Sequence, residues 1–105
     1  MTYFFIFMYA VYFDPEFQET LDRLRDKNPT YHDNVIKKIQ DIREKLEWNP
    51  DHHKNLEKPL QIFKRVHVNT SYVIVFRVNK SQKKLLIVDY DHHDNIYKKK
   101  RLLNY

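Results

Sequence analysis

The sequence predicts an α+β fold in which two helices pack on one face of a twisted sheet. Three observations predict it: an aromatic and β-branched segment at residues 3–13, two segments with apolar residues at helical spacing, and three short β-rich segments between polar turns. The predicted order is an N-terminal strand, two helices and a three-stranded antiparallel meander. A chain of 105 residues can bury one core but not two, so residues 1–105 are predicted to form one domain.

The apolar N-terminal segment is predicted to be a buried strand. Its run MTYFFIFMYAVYF is shorter than the roughly 20 residues that a membrane helix needs. No basic residue precedes it and no small-residue cleavage site follows it, so a signal peptide is not predicted either. The stretch that begins at Met8 looks like the natural start of a domain with this predicted fold. Residues 1–7 are therefore either part of the strand or an upstream extension.

Helix boundaries are marked by capping residues and prolines. Asp14 and Pro15 supply an N-cap and a first-turn residue for the first helix, and Asn28 and Pro29 end it. A second helix follows and stops at residues 49–50, an Asn-Pro pair. The apolar positions that the two helices are predicted to bury are Phe17, Leu21, Leu24, Tyr31, Val35, Ile39, Ile42 and Leu46.

The second half of the chain predicts a loop and a meander. Residues 51–61 are polar and contain Pro59, so they are predicted to connect the helices to the sheet. Strands are predicted at 62–68, 72–78 and 85–89, and their short turns imply antiparallel neighbours. The chain has no glycine, so left-handed turn positions are expected to use Asn, Asp or Ser.

Composition limits the classes of partner. Nineteen Lys and Arg against fourteen Asp and Glu give a net charge of +5, which favours nucleic acid or an acidic protein segment. The absence of cysteine excludes disulfides, thiolate metal sites and a cysteine nucleophile, and it suits a reducing compartment. A cytoplasmic protein without membrane association is therefore expected.

Four segments in a fixed order, MYAVYFDPEF, RVHV, SYVIVFRV and VDYDHHDNIY, resemble the RelE/ParE family of toxins from about Met8 to Tyr97. The resemblance implies a toxin of a type II toxin–antitoxin system with the α+β fold already predicted. One branch of the family consists of ribosome-dependent endoribonucleases that cut messenger RNA, and another poisons DNA gyrase. In both branches a cognate antitoxin, here of RelB type, holds the toxin inactive in a hetero-oligomer.

The first predicted meander strand carries a candidate phosphate-binding pair. RNA cleavage without a metal needs a base, an acid and cations that stabilise charge on phosphorus. Arg65 and His67 are two residues apart and so share a strand face. They look like the paired basic residues of the nuclease branch, where Lys or Arg is usual at His67, and Lys64 beside them is a candidate RNA contact. Alternatively they are ordinary solvent-facing residues.

The second meander strand departs from the nuclease pattern. Val73 stands where that branch usually has an arginine, and this favours the gyrase-poisoning branch. Arg77 is predicted to share the face of Val73 but lies about 13 Å further along the strand. Arg77 is therefore either an RNA contact or a solvated edge charge.

The segment DHHDNIY matches the place where the family pattern often has a basic pair followed by a tyrosine. Imidazole, with an ordinary pKa near 6.5, can be an acid or a base at neutral pH. The resemblance gives His92 and His93 a catalytic role, with His93 preferred for proton transfer, and Tyr97 a role in base stacking or proton transfer. The alternative is that these residues only cap the edge of the sheet.

The same region invites a metal-site interpretation, which the spacing disfavours. Adjacent side chains on an extended segment diverge, and no known metal motif has this form. No metal and no cofactor are therefore predicted, and the histidines of the 51–61 loop are predicted to be plain loop residues. The residues weighed were Asp89, Asp91, His92, His93 and Asp94, together with His52 and His53 of the 51–61 loop.

The C-terminal residues 98–105 are predicted to form either a short basic helix or a flexible tail. Their functional interpretation is contact with phosphates of ribosomal RNA, and the alternative is a solvated tail. Three hypotheses follow for the whole chain: a messenger RNA endoribonuclease, a gyrase-binding toxin without catalysis, or an inactive homologue that binds antitoxin or operator DNA. The basic residues of the tail are Lys98, Lys99, Lys100 and Arg101.

Overall fold

The computed structural model describes residues 8–105, so the part of the predicted first strand before Met8 lies outside the described residues. The order of strands and helices confirms the predicted α+β class. A 3₁₀ helix, His93–Lys98, precedes the last element. The strands and α-helices are β1 (Ala10–Phe13), α1 (Pro15–Lys27), α2 (Pro29–Trp48), β2 (Lys64–Val68), β3 (Tyr72–Asn79), β4 (Lys84–His92) and α3 (Lys100–Leu103).

The four strands form one sheet in the order β1-β4-β3-β2. The meander β2-β3-β4 is antiparallel as predicted, and β1 joins it in parallel beside β4. A bulge lies between Val75 and Phe76. β4 continues to His92, beyond the predicted end at Asp89, because its last residues still pair with Tyr72 and Val73 of β3.

The helices cover one face of the sheet. The Asp14 carboxylate accepts hydrogen bonds from the backbone N–H groups of Glu16 and Phe17, and the Asn28 side chain caps α2 in the same way. Both predicted caps are thus confirmed. Of the predicted apolar positions Leu24 and Tyr31 are only half-buried, and the buried ones are Phe17, Leu21, Val35, Ile39, Ile42 and Leu46. None of the helices within residues 8–105 is long and apolar enough to cross a membrane.

The opposite face of the sheet is also covered. Val73, Val75 and Val88 are fully buried there, beneath the 51–63 loop and the C-terminal tail. The flexible-tail alternative is therefore wrong and the short helix is confirmed, because Ile96 and Leu102 are apolar anchors within the tail. The loop contributes Leu56, Leu60 and Phe63 to the same cluster.

Within residues 8–105, three residues adopt left-handed backbone although none of them is glycine. Asn69 has φ of 53°, as the prediction for Asn allows, while Thr70 at 66° and Lys83 at 54° were not predicted. The Asn69 amide donates to the Tyr31 carbonyl and the Tyr90 hydroxyl, so side-chain bonding supports its conformation. Thr70 is exposed and β-branched, and a β-branched residue is costly at positive φ.

Replacing Thr70 with glycine is expected to stabilise the protein. Glycine removes the conformational penalty of about 1–2 kcal/mol that a residue with a side chain has in the left-handed region. The greater freedom of glycine in the unfolded chain offsets about 0.5–1 kcal/mol of this gain. Urea unfolding should therefore show a free energy of unfolding raised by about 0.5–1 kcal/mol. Thr20→Gly within α1 is the matched control and should lower it. A destabilised Thr70→Gly protein would contradict the backbone assignment.

His53 lies in the predicted loop but is not a surface residue. Its side chain is 8% exposed and packs edge-on against Phe76, with 5.3 Å between the ring centroids. Its Nδ1 has no hydrogen-bond partner within the described residues. Burial is the main cause that lowers the pKa of His53 to about 4, and the neighbouring charge of His52 adds to it. The folded state therefore requires a neutral imidazole at this position.

Stability is expected to fall in acid because of His53. Its folded pKa of about 4 lies below the ordinary value of 6.5, so between these values the unfolded chain binds the proton preferentially. The free energy of unfolding should drop by up to about 3 kcal/mol from pH 7 to pH 4 through this group. Urea unfolding of His53→Leu should show a shallower loss, while His67→Leu, which removes an exposed histidine outside this loop, should match the native slope. An unchanged slope in His53→Leu would contradict the assignment.

Candidate functional site

The structure brings together a histidine on β2 and a histidine in the turn that follows β4. His67 on β2, Val73 on β3 and Asp91 on β4 lie in register across the sheet, on the face away from the helices. His93 follows β4 directly, and its ring centroid is 6.4 Å from that of His67. Two groups that are 26 positions apart in the numbering therefore share one corner of the sheet.

His92 and His93 do not diverge as we expected of adjacent residues on an extended segment. The strand ends at His92 and the 3₁₀ helix begins at His93, so the two rings stack at 4.5 Å with 30° between their planes. His92 Nδ1 accepts a hydrogen bond from the Asp94 N–H at 3.1 Å and caps the 3₁₀ helix. His92 thus orients the turn that carries His93.

The same turn gathers metal-ligating atoms more closely than the sequence suggested. Ligand atoms of His92, His93 and Asp94 all lie within 4.8 Å of one another. Ligands of a tetrahedral zinc ion are separated by about 3.4 Å, so these side chains would have to move closer to bind one. The argument from diverging side chains is therefore wrong, while the predicted absence of a metal stays a prediction.

Tyr97 stands on the 3₁₀ helix with 42% of its surface exposed. Its hydroxyl oxygen accepts a hydrogen bond from the Glu57 backbone N–H at 2.8 Å. This bond ties the tail to the 51–63 loop and leaves the hydroxyl proton available to a substrate. The exposed ring can stack on a nucleic acid base.

Arg65 and Lys64 differ in what their charges contact. Arg65 is exposed on the face of His67, and its guanidinium pairs with no carboxylate of residues 8–105. Lys64 points the other way, where its ammonium donates to the His53 carbonyl at 2.9 Å and to Asn55 Oδ1 at 3.0 Å. Lys64 therefore stabilises the 51–63 loop. Of these two residues, only Arg65 has a charge that is free to bind a phosphate.

Two cations beside His67 were not identified from the sequence. A cavity of about 440 Å³ is lined by His67 from β2 and by Lys37, Lys38 and Asp41 from α2. Sequence periodicity placed these lysines on the solvent face of α2, and nothing in it indicated that this face adjoins β2. The basic surface around His67 therefore extends onto the helix.

Lys99 of the tail is bound to carboxylates of β4. Its ammonium lies 2.7 Å from Asp89 Oδ2 and 2.8 Å from Asp91 Oδ2. Burial lowers the pKa of Lys99, but its hydrogen bonds to the two carboxylates outweigh burial and leave that pKa raised. The Asp91 pKa is lowered on balance, because bonds from Lys99, Asn95 and the backbone outweigh burial.

Arg101 connects the tail to three carboxylates. Its guanidinium contacts Asp14 between β1 and α1, Glu16 of α1 and the 6% exposed side chain of Asp89 on β4. The Tyr105 hydroxyl donates to Asp14 Oδ2 at 2.9 Å. Burial and this bond raise the pKa of Tyr105 to about 12, and the bond helps to lower that of Asp14 despite its burial.

The tail therefore separates into two kinds of cation. Lys99 and Arg101 face internal carboxylates, so their predicted phosphate contacts have no support from the geometry. Lys98 and Lys100 are exposed and keep that prediction. The signal available in the sequence was Asp89, a carboxylate inside an apolar strand that needs a cationic partner when buried.

Arg77 lies at the opposite end of the face that carries Arg65 and His67. It lines a groove of about 710 Å³ together with Tyr12, Lys80, Lys84 and other residues. The structure thus does not bring Arg77 to the histidines. We refer to this depression, bounded by Tyr12, Arg77, Lys80 and Lys84, as the basic groove.

Comparison with known proteins identifies the family. The sequence profile described as "ParE toxin of type II toxin-antitoxin system, parDE" matches residues 11–97. That span includes every strand of the sheet except one residue of β1, both long helices and the histidine turn. The chain belongs to the ParE toxin family. It is therefore a toxin of a type II toxin–antitoxin system, as the resemblance to RelE/ParE toxins implied.

Relatives of this ParE-family toxin occur among archaea. It is 42% identical over 95 residues to a protein of Methanocaldococcus jannaschii assigned as toxin RelE4, which covers 90% of this chain and 97% of that protein. It is 33% identical over 90 residues to a Methanosarcina mazei protein without a described function. That match covers 86% of this chain and the whole of the relative.

Solved structures of toxins share the fold. A mutant of the E. coli toxin RelE in the free state superposes with a TM-score of 0.67 at 14% identity, covering 92% of this chain and 96% of that one. A chain of the RelBE2 toxin–antitoxin complex from Mycobacterium tuberculosis gives 0.63 at 20% identity, covering 82% and 92%. At these identities the likeness establishes the fold of this ParE-family toxin and leaves its chemistry to its own residues.

Removing the Arg101 charge is expected to destabilise the fold. Arg101→Met leaves the buried carboxylate of Asp89 with one partner fewer and removes the cationic partner of Asp14, so the free energy of unfolding should fall by roughly 3 kcal/mol. The exposed neighbour variant Lys100→Met should change it by less than about 0.5 kcal/mol. Urea unfolding of both variants measures this difference. Equal effects would mean that the carboxylate contacts of Arg101 contribute no stability.

Proposed function

We propose that this ParE-family toxin is an endoribonuclease that cleaves messenger RNA on the ribosome without a metal ion. The observation that carries the proposal is the meeting of His67 and His93, 6.4 Å apart between ring centroids, at an exposed corner of the sheet. Arg65 on the face of His67, and Tyr97 one turn after His93, add a cation and an aromatic ring. These are the group types that metal-independent RNA cleavage requires.

The proposed chemistry uses the 2′-hydroxyl of RNA as the nucleophile. One imidazole removes its proton while the 2′-oxygen forms a bond to phosphorus, and the bond from phosphorus to the 5′-oxygen breaks. The other imidazole donates a proton to that leaving 5′-oxygen, which yields a 2′,3′-cyclic phosphate and a 5′-hydroxyl end. His93 and His67 act as this base and acid, and Arg65 stabilises the charge on phosphorus.

Supporting residues orient this pair. His92 stacks on the His93 ring and caps the turn, so it is a positioning residue in this proposal. Tyr97 stacks on a base beside the cleaved bond. Lys98 and Lys100 on the exposed side of the tail contact RNA phosphates and make ribosome binding dependent on salt.

Val73 is the main departure from the nuclease branch, and the structure gives it a packing role. It is fully buried in the cluster that holds the tail, so an arginine here would bury its charge under Ile96 and Leu102. In our proposal Lys37 and Lys38 of the cavity beside His67 supply the positive charge that the nuclease branch usually has at this position.

A gyrase inhibitor without nuclease activity is the second candidate. It is favoured by Val73 and by the family profile, whose description names the ParE toxin. In that case the histidine corner would have no chemistry, and inhibition would depend on a protein interface. An inactive homologue that only binds its antitoxin is the third hypothesis.

The proposed partners follow from family and charge. Neighbours in fold include toxins solved with their antitoxins, such as the Mycobacterium tuberculosis RelBE2 complex. We propose that this toxin likewise binds a cognate RelB-type antitoxin in a hetero-oligomer, for which its net charge of +5 suits an acidic segment. The ribosome and its messenger RNA are the proposed targets, in the cytoplasm.

Substituting either central histidine is expected to abolish cleavage. Proton transfer by a positioned side chain contributes about 100-fold or more, so His93→Ala and His67→Ala should each slow cleavage at least that much. Primer extension on messenger RNA translated by purified ribosomes measures the rate. His52→Ala, which removes an exposed histidine outside the corner, should cleave at the native rate.

Two results would overturn parts of this proposal. Full activity of His93→Ala would remove its assignment as acid or base. Intact messenger RNA with the native toxin, together with broken DNA and inhibited supercoiling by gyrase, would replace the nuclease by the second candidate. If neither target is affected while the antitoxin binds, the third hypothesis stands.

A further inference from the structure

The basic groove is a second feature of the sheet face that carries the histidine corner. Tyr12 on β1, Leu86 on β4 and Arg77 on β3 lie in register, so their side chains form one row across three strands. Lys84 stands two residues before Leu86, on the same face. The resulting depression has a volume of about 710 Å³, within the range of sites that enclose small organic ligands.

The lining of the groove combines cations with an exposed aromatic ring. Among the residues that the structure describes, no acidic side chain lines it, while Arg77, Lys80 and Lys84 do. Arg77 forms no ion pair with residues 8–105, whereas Lys80 is engaged by Asp51 at 3.0 Å. The Tyr12 side chain is 49% exposed, with the Lys84 ammonium 5.7 Å from its ring centroid. The groove therefore offers a stacking surface beside two available positive charges.

We propose that the basic groove binds one nucleotide of single-stranded RNA, with its base stacked on Tyr12 and its phosphate held by Arg77 and Lys84. Stacking of a base on an aromatic side chain contributes more than an exposed contact between a lysine and a ring, so the base displaces Lys84 from the ring face. The released ammonium then pairs with the phosphate. This inference rests on the function proposed above, because the bound RNA is taken to be the toxin's substrate.

A strand of RNA explains the position of the groove better than a free nucleotide does. Arg77 and Val73, which mark the two ends of the face on β3, are separated by about 13 Å. The tail packs over Val73 and Val75 on this face, and it carries the exposed cations Lys98 and Lys100. An RNA strand that extends from the histidines to Tyr12 therefore follows a face whose tail carries exposed positive charge.

The test measures binding separately from cleavage. A fluorescent oligoribonucleotide of about 12 residues with 2′-O-methyl groups cannot be cut, because its 2′-oxygens cannot attack phosphorus. Fluorescence anisotropy should show that Tyr12→Ala weakens its affinity roughly tenfold, and that Tyr12→Phe preserves it. Arg77→Gln should also weaken binding and lower the slope of log affinity against log salt by about one. Arg23→Gln on α1 should bind like the native chain.

Other probes identify the occupant. Adenosine monophosphate should bind much more weakly than the oligonucleotide, and equal affinity would overturn the assignment to a strand. A glutamate-rich peptide whose binding requires Tyr12 and Arg77, when that of the oligonucleotide does not, would replace RNA by an acidic protein segment. Native affinity in both Tyr12→Ala and Arg77→Gln, with folding verified by circular dichroism, would overturn the inference outright.

The outcomes separate this inference from the proposed nuclease activity. If the native toxin leaves messenger RNA intact but oligonucleotide binding still needs Tyr12 and Arg77, the nuclease proposal fails and the groove stands. If messenger RNA is cut but oligonucleotide binding is indifferent to both residues, only the groove fails.

Discussion

The pairing of the buried Asp89 carboxylate with Lys99 and Arg101 is the interaction on which the rest of the structure depends. A carboxylate that is 6% exposed inside a strand would be unfavourable without cationic partners. Both partners come from the tail, so satisfying this charge requires the tail to cross the sheet. Arg101 also reaches Asp14, the cap of α1, and so the same contact connects the last residues to the first strand and helix.

The position of the tail in turn creates the candidate site. It covers an apolar sheet face that would otherwise meet solvent, and it fixes the turn that brings His93 beside His67. Basic groups on the remaining face then lie at its two ends, at the histidine corner and in the basic groove. Val73 belongs to this arrangement, because the packing that holds the tail also requires an apolar residue there. Stability and the proposed chemistry therefore depend on the same buried cluster.

Periodicity and capping residues predicted most of the fold. The rest depends on contacts between residues that are distant in sequence, which local patterns do not reveal. Asp14 and Asn28 indicated the starts of two helices, and alternation indicated the meander, because these signals are local in sequence. Local patterns predicted that Arg65 and His67 share a face, but not that Lys37 adjoins His67 or that Arg101 faces carboxylates. The paired His92 and His93 misled the prediction because strand and 3₁₀ helix meet between them, which reverses the divergence expected of adjacent side chains.

Native-state hydrogen exchange of the tail is the most direct test of this account. The amides of Lys99 and Leu102 donate to the carbonyls of Ile96 and Lys99. If the buried ion pairs hold the tail on the sheet, NMR should show both amides exchanging at least roughly 100-fold more slowly than in an unstructured peptide. Exchange at the unstructured rate, with protected amides in β3 and β4, would show that the tail is free and contradict the account.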